Sequence, residues 1–394
     1  MATINKIFEE HLEKYLVANR KEKGGILANI CFITKKHRKS AVRKFGNLQK
    51  KRKDKQNLGI HRGRREYYGP DVTVALEKLW QIGDEVCAEL LRPMISEYID
   101  ILQKAKDWKY SQTITGKLRQ MSESTIKRRI GNFRKARRKQ KGVSATKPSS
   151  LKKLVPIFFG SWKDKRPGHG QIDTVLHNDT VEGNAVFTLN YTDAATLFTV
   201  MRAQWNKGQR STLENLKSLK LRIEWVLESW LGAHPDTGSE FLNYLAFAWF
   251  AENKIEFSRS RPGHKNDNMF IEERNGHVIR KHVGYVPLTC PEVVPALNSY
   301  YEILEVYLLH FVAVRRLLEK TKEKSKYIKT YEKIAKTPYQ RILERPEISD
   351  KQKDKLREEH AKLNPAILKK EMDKRLDLVY AIQRKFGNPK KMTV

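Results

Sequence analysis

Cysteine is scarce. Cys31, Cys87 and Cys290 are the only three, and no two stand in a CxxC pair. That excludes a disulfide framework and a zinc ribbon. No apolar run approaches the roughly 20 residues that span a bilayer. The first residues, MATINKIFEEHLEKYL, lack the basic start and unbroken apolar stretch of a secretory signal. A reducing, cytoplasmic setting is the expectation, with no membrane partner. Acidic residues are also few, 45 against 78 Lys and Arg, which leaves a net charge of +33 over 394 residues. The hydrophobic fraction of 39 % excludes a disordered chain and is ample for a packed core in two or three domains.

The positive charge is uneven. Residues 1–150 hold 36 Lys and Arg against 15 Asp and Glu, a surplus of 21. Residues 151–310 hold 18 against 18, and residues 311–394 hold 24 against 12, a surplus of 12. A neutral middle flanked by basic regions points to a polyanion. Binding nucleic acid releases counterions, and this gives basic surfaces their affinity.

Local patterns divide the chain further. Residues 1–20 read as an amphipathic helix, and 33–46 as a short helix, a turn and a second, basic helix. Residues 50–70 read as a basic linker whose Arg62, Arg64 and Arg65 suit a phosphate backbone or a minor groove. From Pro70 to Leu102, Val74, Leu76, Leu79, Trp80, Ile82, Val86, Leu90 and Leu91 recur at helical spacing. Over 111–133, Ile114 and Leu118 mark one helix. Ser122 caps the next, which turns Ile126 and Ile130 inward and Lys127, Arg128 and Arg129 outward. The reading is therefore a basic helical region, 1–145, with two helix–turn–helix units at about 20–60 and 70–140. A linker follows at 146–165, then a core at 166–310 and a basic, mostly helical region at 311–394.

The core alternates strand and helix. GQIDTVLHND (170–179) reads as a strand, and 185–203 as two strands around a turn near Asp193. A helix is expected over 211–230, with the stripe Leu213, Leu216, Leu219, Ile223, Val226 and Leu227. An apolar helix over 241–254, a strand over 255–260, and a helix from about Asn268 to His282 complete it. That order implies an α/β domain with a mixed sheet.

Three acids fall where this reading puts the edge of that sheet. Asp173 lies in the first strand and Asp236 follows the fourth. Glu272, on the helix after the fifth, is separated from Asp236 by 35 residues. Three carboxylates suit phosphodiester transfer, in which one metal activates the attacking oxygen and a second stabilises the leaving one. Magnesium is held by a few carboxylates together with substrate phosphate oxygens. Each acid also has an ordinary reading as a turn, cap or ion-pair residue. Asp193, Asp267 and Glu273 are local competitors, and Asp193 reads as a hairpin-turn residue.

The segments GHGQIDTV, PDTGSEFLN and SRPGHKNDNMFIEERNGHVIRKHVGY resemble the three signature blocks of the integrase-core, DDE-type (D,D-35-E) transposases of prokaryotic insertion sequences, relatives of retroviral integrase. TKPSSLKKLVPI before the first block and KTPYQRIL (336–343) after the last extend the likeness over most of 115–345. The resemblance implies an RNase H-like core and two Mg²⁺ or Mn²⁺ ions at Asp173, Asp236 and Glu272. It further implies DNA cleavage followed by strand transfer, on element ends and target duplex, by a homodimer or larger assembly. Two departures stand out. Pro235 and Thr237 flank Asp236 where Ser-Asp-Asn-Gly is common. Ile279 occupies the place, seven residues after the Glu, where many relatives carry a basic DNA contact, and Arg280 and Lys281 follow it. At 100° per residue Gly276 and Ile279 share the face of Glu272, Arg280 can lean toward the site, and Lys281 and His277 point elsewhere. The alternatives are a catalytically silent DNA-binding regulator derived from a transposase, and an RNase H-like nuclease.

Overall fold

The computed structural model describes residues 2–56, 67–135, 155–158, 162, 165–178, 184–235, 238, 240–260, 269–323 and 326–387. The chain divides into two compact units, Met1–Tyr67 and Tyr68–Val394.

The first unit is helical. α1 (Ala2–Glu10) and α2 (Leu12–Val17) break at His11 where one helix was expected. α3 (Arg20–Thr34) opens on a capping box. The Asn19 side chain accepts from the Glu22 amide, and the Glu22 carboxylate accepts from the Asn19 amide. It ends at Lys35 in the left-handed region, φ 54°, and α4 (Arg38–Gln56) follows. α4 thus runs through 50–56, which had read as linker. Phe8, Leu27, Ile30, Ala41 and Phe45 form the unit's core, and Tyr15 stacks on Phe45 at 4.1 Å.

The second unit begins with α5 (Pro70–Ile82), α6 (Ala88–Leu91), a 3₁₀ turn (Arg92–Met94), α7 (Ile95–Lys104), α8 (Gln112–Gln120) and α9 (Glu123–Lys135). Next come β1 (His169–Leu176), β2 (Val186–Asp193), β3 (Thr199–Trp205), α10 (Gln209–Leu227), β4 (Gly232–Pro235), α11 (Tyr244–Glu252) and β5 (Glu256–Phe257). α12 (Met269–Arg274) continues through a π-helical segment (Asn275–Arg280) into α13 (Lys281–Val283). α14 (Val293–Phe311), a hairpin of β6 (Leu317–Glu323) and β7 (Lys326–Tyr331), α15 (Pro338–Leu343), α16 (Asp350–Lys362) and α17 (Pro365–Phe386) end the unit. The hairpin lies inside the region read as helical.

The five strands form one mixed sheet in the order β3-β2-β1-β4-β5. β1 and β3 both pair antiparallel with β2, whereas β1–β4 and β4–β5 are parallel. Strand alternation sends residues to two cores. On one face Ile172, Leu189, Tyr191 and Val200 pack with Leu216, Leu219, Ile223 and Val226 of α10 and Phe250 of α11. On the other, Val175, Val186, Met201 and Ala203 share a core with α14. That core also contains Val72, Leu76 and Leu79 of α5, Ile95 and Ile99 of α7, and Ile126 of α9. Tyr98 of α7 donates to the Phe311 carbonyl and Tyr307 of α14 to the Ile82 carbonyl, both at 2.5 Å. The helices of 70–135 are therefore built into the sheet's own core. No helix among the described residues is long and apolar enough to cross a membrane.

Candidate active site on the central strand

β1 is the middle strand, and its residues 171–173 tie three chain segments together. Ile172 pairs with Pro235, the residue before Asp236, at the end of β4. The Gln171 side-chain carbonyl accepts from the Phe270 and Ile271 amides at 3.0 and 3.1 Å, fixing the turn of α12 that leads into Glu272. Asp173, half-buried, accepts through Oδ2 from the Asn275 amide group at 2.7 Å and through Oδ1 from the Thr174 backbone N–H at 2.7 Å. Asn190 stands opposite Asp173 across the β1–β2 ladder and donates to Asn275 Oδ1 at 3.0 Å. Asn275 is thus clamped between two strands with its N–H toward the carboxylate. Gly170 permits this tight ladder, because a Cβ there would lie 2.4 Å from the Tyr191 ring and 2.5 Å from the Thr192 carbonyl.

Asp236 lies outside the described residues, as do Arg62, Arg64 and Arg65. For Glu272 the backbone within α12 is described. Among the described residues no group of three or more His, Cys, Asp and Glu side chains could hold a metal ion, and the side chains of Asp236 and Glu272 lie outside those residues. Asp193 is a buried turn residue. Its Oδ1 accepts from the Ala195 amide and from the amide and hydroxyl of Thr196, and its Oδ2 from the Gly168 amide. Burial pushes its carboxyl up, against the pull of those donors. Glu273 is exposed.

Gln171, Asn190 and Asn275 were not singled out from the sequence. Asn275 left one signal, its place one helical turn after Glu272. Glu240 was also missed. It is 3 % exposed, pairs with Lys207 at 2.6 Å and accepts from the Thr174 hydroxyl at 2.8 Å.

The basic candidates divide. Lys127 and Arg128 on α9 are exposed, and Lys127 pairs with Glu89 at 2.9 Å. Arg129 does not point outward. It is half-buried and donates to the Thr73 hydroxyl and, at 2.6 Å, to the Tyr68 carbonyl. Three consecutive helical residues span about 200°, and Arg129, three places after the buried Ile126, lies about 60° from it at the edge of the inward face. Arg280 donates to the Leu176 carbonyl at the end of β1 and lies 5.3 Å from the Tyr285 ring centre. Burial lowers its pKa. The 100° count from Glu272 also fails beyond Arg274, because a π segment closes its hydrogen bonds over five residues and advances less per residue. Ile279 is accordingly buried while Gly276 is exposed, and a Cβ at Gly276 would meet nothing among the described residues. Among the described residues no neighbouring helix packs tightly on Gly276.

No protein-family model matches the chain. An uncharacterized protein of Sinorhizobium fredii, y4rM, is 28 % identical over 333 residues, covering 84 % of this chain and 93 % of that one. Among solved structures, the catalytic core domain of BIV integrase aligns with 45 % of this chain and 95 % of its own length, at 12 % identity and a TM-score of 0.29. That superposition is too loose to bear on function.

Proposed function

We propose that the chain is a DDE-type transposase, an RNase H-like polynucleotidyl transferase that cuts and joins DNA. The observation that carries this reading is the convergence on β1: the residues next to all three acids are tied to positions 171–173, and Asn275 bonds to Asp173 itself. The donor set fits a hard divalent cation, since Asp173, Asp236 and Glu272 offer carboxylate oxygens and no sulfur or imidazole. Bound there, Mg²⁺ or Mn²⁺ would supply charge stabilisation to the attacking and leaving oxygens of a phosphodiester. The chain's own part is to orient. Asn275 fixes the rotamer of Asp173. Gln171 holds the start of α12 against the strand. DNA is held by the basic regions, through Arg62, Arg64, Arg65, Lys127 and Arg128, with Arg280 adding positive charge at the end of β1.

The test is incubation of the purified protein with duplex DNA carrying the element's ends. Nicked and joined products are expected with Mg²⁺ or Mn²⁺ and not with a chelator. Binding of the ends without cleavage under any metal condition would favour the catalytically silent regulator.

A further inference from the structure

A second ionic cluster gathers around Asp84. Gly83 ends α5, and the two residues that follow, Asp84 and Glu85, both sit in the left-handed region, at φ 63° and 54°. Neither is glycine, so the surrounding contacts must hold the loop. Asp84 is 4 % exposed. Its Oδ1 accepts from His282 Nε2 at 2.9 Å and its Oδ2 from Lys281 Nζ at 2.7 Å, while Lys369 of α17 stands 3.9 Å from Oδ1. Lys281 also donates to the Asp84 carbonyl, and the other His282 nitrogen bonds to the Val278 carbonyl at 2.7 Å. Despite its burial, His282 and the ammonium groups of Lys281 and Lys369 hold the Asp84 carboxyl well below the usual carboxylate range.

Lys281 and His282 end the same helical rod, Met269–Val283, that bears Glu272 and Asn275. The rod is therefore pinned twice, at Asn275 on Asp173 and at Lys281 and His282 on Asp84. Between the pins lies the π segment, whose hydrogen-bond register differs from the α-helical turns on either side. α9 holds the Asp84 loop and the helix after it: Arg134 donates to the Glu85 carbonyl at 3.2 Å, and Lys127 pairs with Glu89 of α6.

We propose that Asp84 is a positioning residue for the candidate active site: by clamping Lys281 and His282 it sets the rotation and height of the Met269–Val283 rod, and so keeps Asn275 on Asp173 and the Glu272 backbone beside β1. The proposal deepens the transposase reading and rests on it for its catalytic consequence. Its structural half stands independently.

The test uses the full chain with Asp84→Asn, which keeps the shape and removes the charge. The double variant Asp84→Asn/Lys281→Met serves as well, because it removes the ammonium that would otherwise be left unpaired. Amide hydrogen exchange of residues 269–283 should rise at least about tenfold in both variants while β1–β3 amides keep their protection. Single-turnover cleavage of prebound DNA ends should fall about ten- to a hundredfold, with a higher Mn²⁺ requirement and end affinity within about twofold of wild type. Wild-type protection over 269–283 in a folded variant overturns the proposal, as does wild-type cleavage. If the wild-type protein cleaves nothing, the transposase reading fails, and hydrogen exchange alone decides the role of Asp84.

Discussion

The central strand and the α9 helix treat charged side chains in opposite ways. On β1 the one described acid is half-buried, and donors from its own strand and a neighbouring helix set its orientation. On α9 Lys127 and Arg128 stand in solvent, and Lys127 is tied by a single exposed pair. Exposed pairs of that kind contribute little to stability, because water and salt screen them. The strand fixes geometry, as an arrangement that must meet a reacting phosphate requires. The helix offers charge, which attracts a backbone without specifying where each side chain lies. Arg129 crosses the divide, a cation on the basic helix whose hydrogen bonds belong to the fold.

The largest effects should come from the acids. Asp173→Asn, Asp236→Asn and Glu272→Gln should each remove detectable cleavage and joining while the ends still bind. Glu273→Gln, on the exposed side of the same helix, should keep most activity. Asn275→Ala should fall between, losing about ten- to a hundredfold, because it orients a ligand without being one. A gel assay of nicking on end-labelled DNA ranks all five. Wild-type nicking by Asp173→Asn would remove that residue from the site, and with it the contrast between strand and helix.

A smaller effect should separate neighbours on α9. Arg128→Ala should weaken DNA-end binding and its sequence preference and leave thermal stability unchanged. Arg129→Ala should lower the melting temperature, since it strips partners from the Tyr68 carbonyl and the Thr73 hydroxyl. Loss of a buried charge-assisted hydrogen bond costs about 1.5–3 kcal/mol. Calorimetry and fluorescence anisotropy on both variants decide it. Equal melting temperatures would show that Arg129 belongs with the exposed charges.

The smallest effect is a dependence on pH. His177, at the end of β1, is buried against Thr188, and burial, with the nearby Arg280 charge, pulls its pKa down to about 3. His310 on α14 is also pulled down to about 3, by burial first and then by His360 and Arg222. Both are neutral in the folded chain. As the pH falls below about 6.5, the unfolded chain binds protons that the folded one does not. Stability should therefore decline from about pH 6.5 toward 3, and His177→Asn should flatten part of that slope. A melting temperature that stays level between about pH 7 and 5 would count against the neutral, buried assignment.

The succession of strands and helices in the core, and a mixed sheet, were legible in the sequence, whereas the order of the strands within the sheet was not. Strand alternation around Asp193 and the apolar stripe of α10 follow from periods of two and 3.6 residues, and short-range sterics enforce both. The three carboxylates stand out as candidates because their chemistry narrows the residue types and their spacing narrows the places. Hidden from the sequence were the contacts that depend on distant partners. Asn275 meets Asp173 across 102 positions, and His282 meets Asp84 across 198. A lone Asn or Asp carries no mark of such a meeting in its own neighbourhood. The π segment was invisible for the same reason. Residues 269–283 have ordinary helical composition, and only packing around Asn275 and Ile279 reveals the change of turn. Composition by itself determined a basic chain with a neutral α/β core, because charge and periodicity are local sums. The tertiary structure alone decided that the helices of 70–135 belong to the sheet's core. Burying Val72, Leu76 and Ile126 against α14 is a non-local choice, made where apolar faces from separate parts of the chain find one another.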